Sequence, residues 1–169
     1  MRIILLLRFS LWIRLIKYTH TMKIILKVLF LFLLFSSCGD NDTKKEMEFL
    51  TNAINQVPID NHYKWVVILP GLGCHGCIQE GEYFLKSHVD NNEILFVLLK
   101  TPSLKILQQK VEVNLLDRQN VLIDKELLFN IPTQNNIYPC VVSLKDGKVV
   151  KHSFQSPETT ALYDLERQL

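Results

Sequence analysis

Two stretches of this chain leave little freedom in how it can fold. Lys64–Leu69 (KWVVIL) and Glu93–Leu99 (EILFVLL) are nearly unbroken runs of β-branched and aliphatic side chains. A strand with one face in water alternates polar and apolar residues, whereas an unbroken run needs cover on both faces, which parallel sheets provide. Pro70-Gly71 stops the first run. Between the two, residues 77–89 follow a helical pattern with Ile78, Phe84 and Leu85 as the expected buried set. Ser103, after Thr101-Pro102, starts another helix in which Leu104, Leu107 and Val111 recur at helical spacing. Strand, helix, strand, helix makes a βαβα unit with a parallel sheet covered by helices.

The chain then changes character. Residues 120–124 are at most a short strand, and 133–136 read as a polar loop. Residues 140–144 (CVVSL) and 149–154 flank Lys145-Asp146-Gly147-Lys148, which predicts a hairpin with Asp-Gly at its tip. Ser156-Pro157-Glu158 has the form of an N-cap followed by proline at the first helical position. It predicts a final helix with Leu162, Leu165 and Leu169 on one side. Upstream, residues 45–56 place Met47, Leu50 and Ile54 at i, i+3 and i+7, an amphipathic helix closed off by Pro58. The expected class is α/β, a central mixed sheet built βαβα then ββα with helices on its faces. No internal repeat is present.

Charge divides the chain near residue 38. Six of the 19 basic side chains lie in residues 1–37 together with none of the 17 acidic ones, leaving 13 basic against 17 acidic, a net −4, in the remaining 132 residues. A folded part with that balance argues against a nucleic-acid partner. Met22 offers a second start: Lys23 is its positive flank, and residues 24–35 are apolar apart from Lys27. Twelve residues suit a signal peptide's apolar region, while a membrane-spanning helix takes about 20. Ser36-Ser37-Cys38-Gly39 puts small residues directly before a cysteine. This resembles the lipobox of bacterial lipoproteins, with Phe35 standing where an aliphatic residue is usual. The resemblance implies a diacylated Cys38 as the mature amino terminus, and an ordinary secretory signal is the alternative. Arg2, Arg8, Arg14 and Lys17 scatter around a helical wheel, so residues 1–21 are expected to lie upstream of the true start. The expected organisation is then a signal peptide over 22–37, a polar tether over 38–44 and one domain over 45–169.

The chemistry sits at Gly71-Leu72-Gly73-Cys74-His75-Gly76-Cys77-Ile78. At the carboxyl end of a buried strand and the start of a helix, C-x-x-C has a specific mechanism. Free backbone N–H groups and the positive end of the helix dipole lower the pKa of Cys74 and make it the attacking sulfur. Cys77, one turn further in, would resolve the mixed disulfide. His75, when protonated, would further favour the Cys74 thiolate. Glu80 and Glu82 fit a solvated helix face, and Ile78 after Cys77 excludes c-type haem attachment.

With this motif in this element order, residues 60–169 resemble the thioredoxin-like superfamily, and within it the membrane-tethered thiol-disulfide oxidoreductases of the TlpA type. The resemblance implies a three-layer sandwich and a cis-proline facing the C-x-x-C at the head of the third core strand. Pro132 and Pro139 compete for that place; Pro139 leads straight into a strand-like run and is chosen, with a cis Tyr138–Pro139 bond and the Tyr138 backbone open to an extended client chain. It further implies exported, cysteine-containing client proteins, a separate redox partner, a lipid anchor in the bacterial cell envelope, and no cofactor. Gly73 stands where the family has tryptophan, the motif lacks its proline, and residues 65–69 lack the buried acid many members carry. Cys140 is expected to be a buried, inert thiol. Two other readings remain: a copper or zinc binder using Cys74, Cys77 and His75 or Cys140, and a non-catalytic module with a structural Cys74–Cys77 bond.

Overall fold

The structure, a computed structural model, describes residues 40–169. The two apolar runs are its central strands. β1 (Trp65–Pro70) and β2 (Ile94–Leu99) pair in parallel from Trp65 opposite Ile94 to Pro70 opposite Leu99, and every residue of β2 is buried. β3 (Val121–Asp124) extends the sheet in parallel beyond β2. On the other side of β1 runs β4 (Cys140–Lys145), antiparallel, with Ile68 opposite Cys140. β5 (Lys148–Ser156) folds back on β4, and the short β6 (Thr159–Thr160) completes a six-stranded mixed sheet in the order β3-β2-β1-β4-β5-β6. Asp146 and Gly147 both have positive φ, 52° and 72°, which the twist of a two-residue hairpin turn demands.

Helices cover both faces, as the unbroken strands require. On one face lie α2 (His75–His88), α3 (Leu104–Val111) and α4 (Ala161–Glu166), whose Phe84, Leu85, Leu107, Val111, Leu162 and Leu165 pack on Val67, Phe96, Leu98 and Val141. Two successive crossovers that step the same way across a sheet place their helices on one face, which is where α2 and α3 are found. On the other face α1 (Asp40–Gln56) sets Leu50, Ala53 and Ile54 against Val66, Ile68, Val97 and Val142. The stretch after β3 returns over this second face, burying Phe129 and Ile131. Asp124 starts that return by accepting the N–H groups of Leu128 and Phe129 at 3.1 and 2.8 Å.

Four expectations need correction. α1 begins at Asp40, so the stretch expected as an unpacked tether is helical there, with the side chains of residues 41–45 exposed. Residues 133–136 are no irregular loop: Thr133 caps a 3-10 helix over Gln134–Ile137, its Oγ1 accepting the Asn135 N–H. Ser156-Pro157-Glu158 does not open the last helix. The Ser156 hydroxyl is held in the tight turn to β6, accepting from Glu158 N–H and lying 2.7 Å from Thr159 Oγ1. Gln155 Oε1 takes over the capping role by accepting Leu162 N–H, α4 starts at Ala161, and Leu169 lies exposed beyond its end. Finally, no peptide bond among the described residues is cis, so the Tyr138–Pro139 bond is trans. The 3-10 helix has already turned the chain, and Tyr138, extended at φ −109° and ψ 146°, feeds straight into β4.

Candidate functional site

β1 ends at Pro70, and the next four residues lead into α2. Both glycines in that turn answer to close backbone neighbours. A Cβ at Gly71 would stand 2.5 Å from the Lys100 carbonyl oxygen; one at Gly73, where φ is +146°, would stand 2.4 Å from the Ile137 carbonyl oxygen. No side chain fits at residue 73, the position where the resemblance would place a tryptophan. The turn is tied down by Gly71 N–H to Leu99 O at 2.7 Å and Cys74 N–H to Ile137 O at 3.2 Å.

Cys74 is the N-cap residue of α2. An N-cap is ordinarily a Ser, Thr, Asp or Asn whose side-chain oxygen accepts a free N–H of the first turn, and here no side chain does so. Cys74 is the residue at this position, so a thiolate on it would stand at the end of α2 where first-turn N–H groups and the positive end of the dipole favour negative charge. Cys77, one turn on, is 5% exposed, and its Cα lies 5.3 Å from that of Cys74, within the span of a disulfide, which the two form. The half-buried member of the pair is therefore the one at the helix tip.

His75 is exposed and, with Ile78 and the buried Pro139, lines a cleft of about 210 Å³ walled by Leu69, Leu98 and Ile106, to which neither Cys74 nor Cys77 contributes. Pro139 packs against α2, with its Cγ 3.3 Å from where a Gly81 Cβ would be. Tyr138 is half-buried at the end of the 3-10 helix. Cys140 is a free, fully buried thiol on the α1 face of the sheet, opposite in direction to Val141. Burial, and after it the charge of Glu46, pushes the Cys140 thiol far above the usual thiol range. Among the described residues no three His, Cys, Asp or Glu side chains are arranged to hold a metal ion. Cys38 and residues 1–37 lie outside the described residues. Among the described residues no helix is long and apolar enough to cross a membrane.

Sequence reading missed one group altogether. Glu46 of α1 is 2% exposed, and its carboxylate accepts from Thr133 Oγ1 at 2.5 Å and Asn135 Nδ2 at 2.8 Å, with His152 Nε2 2.9 Å from its second oxygen. Burial alone would raise its pKa, but the three side-chain partners outweigh that and hold it below the usual carboxylate value. Its four members come from α1, the 3-10 turn and β5, up to 106 positions apart in sequence. The only signal in the chain is an acidic residue interrupting the apolar face of an amphipathic helix.

Among family models, curated proteins and solved structures, nothing matches this chain significantly.

Proposed function

We propose that this chain is a thiol-disulfide oxidoreductase of the thioredoxin-like kind, held to the bacterial cell envelope by a lipid on Cys38. One observation carries the reading: the Cys74–Cys77 disulfide opens the helix that follows a buried central strand, with Cys74 as that helix's N-cap residue. The strand order β2-β1-β4-β5, with the last two a hairpin and Pro139 at the head of β4, supports the fold assignment.

In the reducing direction the Cys74 thiolate attacks one sulfur of a client disulfide, forming a Cys74–client bond and releasing the other client sulfur as a thiol. Cys77, once deprotonated, attacks the Cys74 sulfur, closes the intramolecular disulfide and releases the second client thiol. Two electrons pass to the client, and a separate dithiol partner returns the pair to its reduced form. Oxidation of clients is the same sequence reversed. The partners are exported, cysteine-containing proteins, and no cofactor is called for.

The test is the equilibrium potential of the Cys74–Cys77 couple in a glutathione buffer. A value near −270 mV marks a reductant and one near or above about −200 mV an oxidant or isomerase; a value well below about −300 mV marks a structural bond and overturns the proposal.

A further inference from the structure

The buried acid and the redox loop are joined through the 3-10 turn. Glu46 Oε1 binds both Thr133, which caps that turn, and Asn135 within it, and the last residue of the turn, Ile137, offers the carbonyl that accepts the Cys74 N–H. Gly73 has no side chain because the loop is pressed on this same residue. We propose that Glu46, acting through Thr133, Asn135 and the Ile137 carbonyl, is a positioning residue for Cys74, setting where its sulfur stands relative to the first turn of α2. The proposal rests on the reading of Cys74 as the reactive thiol.

The hub is built for holding rather than for proton exchange with the pair. Its ionisable side chains are almost wholly enclosed, 3% exposed for Glu46 and 4% for His152. Removing the carboxylate would leave the half-buried Thr133 and Asn135 without their acceptor, a cost that the turn can relieve by shifting. The conservative replacement behaves differently. In Glu46→Gln the amide oxygen can still accept from Thr133 and Asn135, and its NH₂ can donate to His152 Nε2 once that ring carries its proton on Nδ1. Nδ1 is buried without a partner, so neither tautomer gives up a hydrogen bond there.

The experiment uses the reduced full-length chain and two readouts taken on Cys74 itself. These are the pH dependence of its alkylation by iodoacetamide, resolved by peptide mass spectrometry, and the hydrogen exchange of its backbone amide. Glu46→Ala and Thr133→Val are expected to speed exchange at the Cys74 amide about tenfold, the loss of one hydrogen bond's protection. They should also move the Cys74 thiol pKa toward the free value of about 8.5. Glu46→Gln should stay near wild type in both. Leu165→Ala, which opens a cavity on the opposite face, should lower the melting temperature and leave Cys74 unchanged. If Glu46→Ala does not fold, Thr133→Val carries the test. The proposal is overturned if Thr133→Val leaves both readouts at wild type, if Leu165→Ala shifts them equally, or if Glu46→Gln matches Glu46→Ala, which would make the effect one of charge. Since no client is present, a wild-type chain that fails to exchange client disulfides counts against the oxidoreductase reading and not against this one.

Discussion

Gly73 and Ile137 lie so close that a Cβ on the glycine would come within 2.4 Å of the Ile137 carbonyl oxygen and 2.8 Å of its Cα. Contact at that range allows only a bare backbone, and the +146° φ of Gly73 adds a conformation that other residues rarely adopt. Gly73→Ala should therefore cost about 1–3 kcal/mol from backbone strain alone. It should also displace the Cys74 loop, so that disulfide exchange falls by more than the loss of folded protein explains. Thermal melts alongside initial exchange rates check this; an alanine variant with wild-type values in both would contradict it.

Acid should unfold the domain partly through Glu46. Its partners hold its folded pKa below the unfolded value of about 4.3, so its contribution is fully present above that pH and is lost as pH falls through the folded value. Urea melts from pH 6 to pH 2.5 should show stability falling below about pH 4, and Glu46→Gln should flatten that part of the curve. At neutral pH, Glu46→Ala should cost roughly 1–3 kcal/mol, since it takes the acceptor away from Thr133, Asn135 and His152 together. A variant whose acid limb follows the wild type would show that the carboxylate titrates alike in both states.

The contrast between these two sites marks how far the chain can be read. The central strands, the C-x-x-C turn and the Asp-Gly hairpin were legible because each is written in neighbouring residues: an apolar run, a fixed spacing, two residues able to take positive φ. The Glu46 hub was not, because its members meet only after α1 and β5 have packed on the sheet. The final helix departs from its local signal for a related reason. Ser156 and Pro157 are good capping residues in isolation, but Ser156 is engaged with Thr159, and the cap comes from Gln155, a residue without a capping signature. Only the resemblance asks for a cis Tyr138–Pro139 bond, and nothing in the local residues requires one.

Cys140 should be silent. It is fully buried, and burial together with the Glu46 charge keeps it a thiol well above the usual range. Alkylation of the reduced native protein should label Cys74 well before Cys140, which should react only on unfolding. Cys140→Ser should cost about 1–2 kcal/mol for the buried hydroxyl and leave exchange rates within about twofold of wild type. Rapid native labelling of Cys140, or a Cys74–Cys140 disulfide on oxidation, would contradict this.

The proposed anchor has its own test. Membrane-fraction protein should yield an acylated amino-terminal Cys38 by mass spectrometry, and Cys38→Ala should release the domain or leave its signal uncut. A wild-type protein recovered unmodified and starting at another residue would remove the lipid from the account.

The central claim is that Cys74 attacks and Cys77 resolves, and single-cysteine trapping tests it most directly. Cys77→Ser, expressed in the exporting host and resolved on non-reducing gels, should accumulate client mixed disulfides that thiol reductant dissolves. Cys74→Ser, with its remaining sulfur buried one turn into α2, should trap none. Clients trapped by Cys74→Ser and not by Cys77→Ser would reverse the roles, and an absence of adducts in both variants beside a stable wild-type disulfide would contradict disulfide exchange as the function.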